Sequence, residues 1–330
     1  MTPPVPPTPL LSIRGLRTYF DTEAGVAKAV DGVDLDILPG EVLGLVGESG
    51  SGKSVTALSV LRLIPSPPGR IVEGEIQFKG RNLLGLSWED IRKVRGSQIS
   101  MIFQEPMTSL NPVFTIGMQV TEVVLQHEPV SRDEANRRAV EILTEVGIPD
   151  AARRMTQYPH HLSGGMRQRV MIAMALVLNP DLLIADEPTT ALDVTIQAQI
   201  LELMLQLKER RPGAAILLIT HNLAVVAETC DRVAVMYGGK IQEVAPVHRL
   251  FENPLHPYTK GLLGSIPRVD GARAKRLNVI PGTVPSILDM PLGCKFVTRC
   301  QHRFEPCEGT EPPLVEVEPE HFVRCHLYPA

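Results

Sequence analysis

The chain has little that would place it in or across a membrane. Its longest apolar stretch runs from Val170 to Leu178, far short of the roughly 18 residues that a spanning helix needs. No cationic segment followed by an apolar core opens the sequence, so a secretory signal is not expected and a cytosolic chain is. An excess of one charge is also missing. Lys and Arg number 33 against 37 Asp and Glu, a net charge of −4, which excludes a sequence-wide nucleic-acid binder. There is no internal repeat and no sustained heptad pattern. Cysteine is scarce, at five residues, and no two form a C-x-x-C pair. Four of the five lie between Cys294 and Cys325. In a reducing compartment such a cluster reads as metal-binding before disulfide.

What remains is enough to fold. A hydrophobic fraction of 44% and a charged fraction of 21% exclude a disordered chain. The length of 330 residues fits one large domain with a smaller companion, or two domains. Residues 1–9 are mostly Pro and Thr and read as a loose tail. The run from Leu11 to Phe20 alternates in part, as a half-buried strand does. Val42–Val46, Leu182–Ala185, Ile216–Ile219 and Val233–Tyr237 are continuous apolar runs, typical of strands covered on both faces. Helical patterns separate several of them, so the core should be a largely parallel α/β sheet. Ser131 and Glu134 predict a capping box, followed by Ala135, Ala139, Ile142, Leu143 and Val146 at helical spacing and by Gly147 as a stop. This helix lies in a predicted helical insertion spanning about 104–162. Past a boundary near 245–265 prolines multiply and periodicity fades.

Gly47-Glu-Ser-Gly-Ser-Gly-Lys53-Ser54 fits G-x-x-x-x-G-K-[ST], between a predicted strand and a helix that begins near Val55. Glycines let backbone N–H groups turn toward a phosphate, and the helix N-terminus adds a positive field. Gly47, Ser49, Gly50, Ser51, Gly52, Lys53, Ser54 and Val55 are therefore candidate ATP-binding residues. Lys53 should reach the β- and γ-phosphates, and Ser54 should bind Mg²⁺ through its hydroxyl. Asp181-Leu-Leu-Ile-Ala-Asp186-Glu187 is an apolar strand that ends in two carboxylates. Asp186 suits the orientation of Mg²⁺, and Glu187 suits a general base for the attacking water. Alone, such a strand end is usually a solvated one; beside the phosphate loop the pair gains weight.

Further motifs carry a resemblance. Leu162-Ser163-Gly164-Gly165-Met166 is similar to the LSGGQ signature of ABC ATPases, with Met in the last position. Gln104 in Phe-Gln-Glu-Pro resembles the Q-loop glutamine, Thr190-Ala-Leu-Asp193 the D-loop, and His221 in Ile-Thr-His-Asn the switch histidine. Phe20 stands where that family places an aromatic against adenine, with Tyr19 as the alternative. The resemblance covers about residues 11–245 and implies a P-loop ABC nucleotide-binding domain, over about 10–250, with a helical insertion. It also implies that two such domains face head to tail, each ATP lying between the phosphate loop of one and Ser163, Gly164 and Gly165 of the other. Lys53, Gln104, Glu187 and His221 would be catalytic, Gln104 would also touch Mg²⁺, and Asp193 would belong to the nucleotide site. Without the motif, His221 and Gln104 would be unremarkable, and His160, His161 and Cys230 read as structural.

Cys294, Cys300, Cys307 and Cys325 read C-x5-C-x6-C-x17-C. Their spacing leaves metal, free thiols and disulfides open. Asn253-Pro-Leu-His-Pro-Tyr-Thr259, Pro281-Gly-Thr-Val-Pro285 and the stretch Gly293–Cys300 resemble the C-terminal extension of dipeptide and oligopeptide importer ATPases. That resemblance implies a small irregular domain over about 251–330 whose four cysteines hold a structural [4Fe-4S] cluster. It also implies the partners: a second ABC ATPase subunit (a related paralogue or the same chain), two transmembrane permease subunits and an extracytoplasmic peptide-binding protein. The chain would then sit on the cytoplasmic face of the inner membrane. The competing readings are a soluble ABC ATPase working on nucleic acid or ribosomes, and an importer of nickel or another small solute. The first lacks tandem domains, a long coiled coil and basic charge.

Overall fold

The computed structural model describes residues 8–104, 110–188, 194–265 and 279–328. The chain divides into two compact units, one built on Leu38–Glu41 and Gly85–Leu218, the other on Leu11–Ile37, Val42–Leu84 and the chain from Ile219 onward.

In the first unit three strands lie in the order Ala215–Ile219, Leu182–Asp186, Ile99–Ile102. Every residue in them is buried. Coverage on both faces is why they read as unbroken apolar runs rather than alternating ones. Ile99–Ile102 runs parallel to Leu182–Asp186, with Ile102 opposite Ala185. Helices Ile116–His127, Arg132–Glu145 and Ala151–Arg154 and a 3₁₀ turn at Pro159–His161 follow the first of these strands. Helix Arg132–Glu145 forms as its sequence predicts. Ser131 accepts the Glu134 N–H at 3.2 Å, Ala135, Ala139 and Leu143 are fully buried, and Gly147 turns left-handed at φ 77. Only half of the expected capping box is present. The Glu134 carboxylate turns instead to Arg137 and Arg138, at 2.6 and 2.9 Å, because charge-assisted bonds outweigh a single amide.

The second unit adds an antiparallel sheet that the sequence reading did not anticipate, in the order Gly25–Ile37, Leu11–Thr22, Gly69–Phe78, Arg81–Asn82. Two residues separate the first pair of strands, too few for a parallel crossover. The interrupted alternation of the first strand has a cause: its register shifts between Ile13 and Leu16. The expected parallel pairing is present between Val42–Val46 and Arg232–Tyr237, with Val46 opposite Val235. Lys240–Pro246 then pairs antiparallel with Arg232–Tyr237, and His321–Val323 with Lys240–Pro246. Beyond residue 246 polar contacts replace periodicity. The buried Glu243 carboxylate accepts the N–H groups of Leu255 and His256 at 2.7 and 2.9 Å and pairs with His321 at 2.8 Å. Such contacts fix a segment without an amphipathic pattern for the sequence to display.

Candidate functional site

The phosphate loop leaves the buried strand Val42–Val46 and enters helix Lys53–Val60. Its glycines are required by the chain itself. Gly47, Gly50 and Gly52 have φ of 152, 77 and 105. A Cβ on Gly47 would stand 2.1 Å from the Met236 carbonyl oxygen, and one on Gly52 2.3 Å from that of Ala29. No side chain fits there, and the left-handed φ of Gly52 adds strain for any L-residue. Lys53, nearly buried, folds its ammonium back over the loop, donating to the carbonyls of Gly47 and Glu48 at 2.8 and 3.0 Å and to Ser51 Oγ at 3.3 Å. Ser49 and Gly50 are exposed, while Ser54 and Val55 are half-buried at the start of the helix. The loop therefore combines a fixed glycine frame, a helix N-terminus and a lysine held within reach, which is the chemistry a polyphosphate needs.

His221 follows strand Ala215–Ile219 and is exposed. It is placed by neighbours that sequence reasoning passed over. The buried Thr220 donates its N–H to the Leu45 carbonyl at 3.4 Å, two residues before the phosphate loop, and its hydroxyl accepts from Asn222 N–H at 3.0 Å. Asn222 in turn caps helix Leu223–Thr229. The Thr-His-Asn order was the available signal, since Asn just before an apolar run marks an N-cap. Of the two aromatic candidates for adenine, Tyr19 is engaged elsewhere. Its hydroxyl donates to Asp31 at 2.6 Å, and burial with that carboxylate pushes its pKa up to about 12. Phe20 is half-buried, its ring edge 2.8 Å from where a Cβ of Gly69 would lie.

The carboxylates of the second motif stand in the other unit. Asp186 ends its strand almost fully buried. Glu187 follows with a left-handed φ of 46, a strained setting that for a non-glycine residue tends to mark function. The parallel register that sets Ile102 opposite Ala185 carries Gln104 to Glu187, and Gln104 Nε2 donates to Glu187 Oε2 at 3.1 Å. The structure thus joins two predicted residues 83 positions apart. Asp193 lies outside the described residues, as do Glu105 and Pro106 of the Q-loop motif and Thr190 of the D-loop motif.

Ser163 caps the 13-residue helix Gly164–Leu176, accepting the Met166 N–H at 3.3 Å. Here the glycines differ from Gly47 and Gly52. Among the described residues, a Cβ on Gly164 would meet nothing within 4 Å, and one on Gly165 would meet Ile196, at 3.9 Å. Ser163 and Gly164 are exposed. The missing side chains clear space outside this helix end.

The four C-terminal cysteines line one small cavity with His256, Phe296, Val297, His302, Phe304 and His326. Burial is the main cause that pushes the Cys294 thiol up to about 12, and the other three thiols add to it. As the side chains stand, no three His, Cys, Asp or Glu groups among the described residues close around a metal position. Cys230 is buried against Gly44, where a Cβ would come within 3.0 Å of its sulfur. That setting agrees with a packing role.

Residues 30–190 match the family model described as ABC transporter, and residues 242–307 the one described as oligopeptide/dipeptide transporter, C-terminal region. A probable peptide ABC transporter ATP-binding protein of Sinorhizobium fredii, y4tR, is 55% identical over 96% of this chain and 94% of its own length. The oligopeptide transport ATP-binding protein AppD of Bacillus subtilis is 53% identical over 97% of both chains. The dipeptide transport ATP-binding protein DppD of the same organism is 48% identical over 96% of this chain and 94% of its own. Among solved structures, the dimeric ATP-binding cassette MJ0796, bound to ADP and Pi in a post-hydrolysis state, superposes with a TM-score of 0.65. It shares 27% identity and covers 72% of this chain and 98% of its own. With phosphate loop, signature and terminal extension all matched, the chain belongs to the ATP-binding subunits of the ABC transporter family, in the branch that carries the oligopeptide/dipeptide C-terminal region.

Proposed function

We propose that this ABC ATPase powers the import of di- or oligopeptides as one of two nucleotide-binding subunits, with the pore in separate permease subunits. The observation that carries the paired reading is the contrast between its two sets of glycines. Gly47 and Gly52 of the phosphate loop are pressed against neighbouring backbone carbonyls, whereas, among the described residues, nothing lies within 4 Å of a Cβ on Gly164 and only Ile196 lies near one on Gly165, at a capped helix end. A helix N-terminus cleared of side chains binds an anion brought from outside. The γ-phosphate of an ATP held by a counterpart subunit fits that position. The peptide cargo is supported by the names of relatives at 48–55% identity over nearly the whole chain. No described helix is long and apolar enough to cross a membrane, and the proposed location is peripheral, on the cytoplasmic face.

In this reading the N–H groups from Ser49 to Val55 receive the phosphates, and Phe20 stacks on adenine. Lys53 leaves the carbonyls of Gly47 and Glu48 for the β- and γ-phosphates. Ser54, Asp186 and Gln104 would hold Mg²⁺, and the nearly buried Asp186 carboxylate has the charge and setting that suit a cation. That ion, when bound, offsets charge on the β- and γ-phosphates. Glu187, oriented by Gln104, accepts the proton of the attacking water, ADP departs from the γ-phosphorus, and His221 donates to the γ-phosphate as charge moves. Asp193 completes the site from the D-loop.

Cys294, Cys300, Cys307 and Cys325 are read as the ligands of a structural [4Fe-4S] cluster. Four thiols lining one small cavity supply the donor set such a cluster takes. Closing on it would need the thiols to draw together and lose their protons. An anaerobic preparation should contain about four irons with matching sulfide per chain. Iron-free protein with an unchanged C-terminal fold would refute this assignment.

The transport reading is tested by isolating the chain from native membranes and assaying the assembly in vesicles. Permease subunits should co-purify, and peptide presented with an extracytoplasmic binding protein should stimulate hydrolysis. Stimulation by nickel alone, or recovery with nucleic acid instead of permeases, would replace it.

A further inference from the structure

Two C-terminal residues hold the phosphate loop. The Glu48 N–H donates to the Tyr258 hydroxyl at 2.8 Å, and the Glu48 carboxylate accepts two bonds from Arg299, at 2.6 and 3.2 Å. The Arg299 side chain is 4% exposed against 29% for Glu48. Its Nε donates to the Pro281 carbonyl at 3.1 Å, and its guanidinium lies 5.8 Å from the ring centres of both Tyr237 and Phe296. Tyr258 is fully buried in the same aromatic group, 4.7 Å from Tyr237 and 5.3 Å from Phe296. A second hold lies alongside: Gly239 donates its N–H to the Ser51 carbonyl at 3.0 Å, and Gly238 packs against Lys295 and Met290.

Glu48 occupies the first unconstrained position of the phosphate-loop motif, so the motif does not demand an acid there. A carboxylate beside a triphosphate repels it unless neutralised. We infer that Arg299, with Tyr258, is a positioning residue for ATP: it fixes the phosphate loop through Glu48 and cancels the negative charge that Glu48 would present to the phosphates. The C-terminal segment is thereby part of the nucleotide site's support. This rests on reading the loop as the ATP site.

The test is the affinity of the full-length chain for a fluorescent ATP analogue, with thermal unfolding as the control on folding. Arg299→Gln should weaken binding about ten-fold, more at low salt than at high. Adding Glu48→Gln to that variant should restore affinity to within about three-fold of wild type, because the repelling charge is gone. A merely structural role would give no such rescue. Tyr258→Phe, which removes only the hydroxyl, should weaken binding about three-fold. Wild-type affinity in Arg299→Gln, or a double variant no tighter than the single one, overturns the inference. If Arg299→Gln does not fold, Tyr258→Phe decides it: weaker binding supports it and unchanged binding overturns it. A wild-type chain that binds no ATP analogue would instead refute the function on which it rests.

Discussion

At the scale of residues, glycines that look alike in sequence divide into two kinds in space. Gly52→Ala should destabilise the chain by about 2 kcal/mol or more, because its Cβ would meet the Ala29 carbonyl at 2.3 Å with a positive φ. Gly164→Ala should leave the melting temperature unchanged, since no described residue lies within 4 Å of the added Cβ, yet reduce hydrolysis in the assembled transporter. Thermal unfolding read beside phosphate release separates the two. Glu187→Gln should keep ATP binding and lower the hydrolysis rate about 100-fold or more, the usual cost of losing a general base. A rate near wild type would remove Glu187 from that role. The types and order of these residues were legible in the sequence: Gly47 to Ser54, Ser163 to Gly165, Asp186, Glu187 and His221. The Gln104–Glu187 bond was not, because it depends on strand register rather than spacing. Nor was the Glu48–Arg299 pair, whose partners stand 251 positions apart.

At the scale of elements, strands covered on both faces announced themselves as Val42–Val46 and Leu182–Asp186, and helix Arg132–Glu145 announced itself by periodicity and caps. The antiparallel sheet of the second unit was harder to read, because a register shift breaks the alternation of its first strand. That sheet carries a pH-sensitive contact. Burial alone would raise the pKa of Asp31, but the Tyr19 hydroxyl, Lys240, Lys28 and Arg17 hold it below the usual 3.8. A carboxylate with a depressed pKa contributes stability above its unfolded pKa and loses it as pH falls through the folded value. Asp31→Asn should therefore be less stable than wild type at neutral pH, and the gap should close below the usual 3.8. Melting temperatures across an acid series would show it. A gap that persists in strong acid would mean that Asp31 acts by packing alone.

At the scale of the whole molecule, the account makes the chain an incomplete enzyme. It carries a phosphate loop, the proposed base Glu187 and a signature whose Ser163 and Gly164 are exposed. Short apolar runs and balanced charge argued against a spanning helix and a broadly basic chain, but they could not show what a second subunit supplies, since that information lies in geometry open to solvent. The C-terminal region was legible only as prolines and cysteines, because buried polar contacts such as Glu243 with His321 hold it. The measurement that bears most directly on the account is hydrolysis by the isolated chain at dilutions where it is monomeric, and by the assembled transporter, each with and without Gly164→Arg. The account predicts negligible turnover by the monomer. In the assembly it predicts that Gly164→Arg blocks hydrolysis at the site facing it while this chain's own affinity for ATP is unchanged. Full-rate hydrolysis by a monomer carrying Gly164→Arg would contradict it.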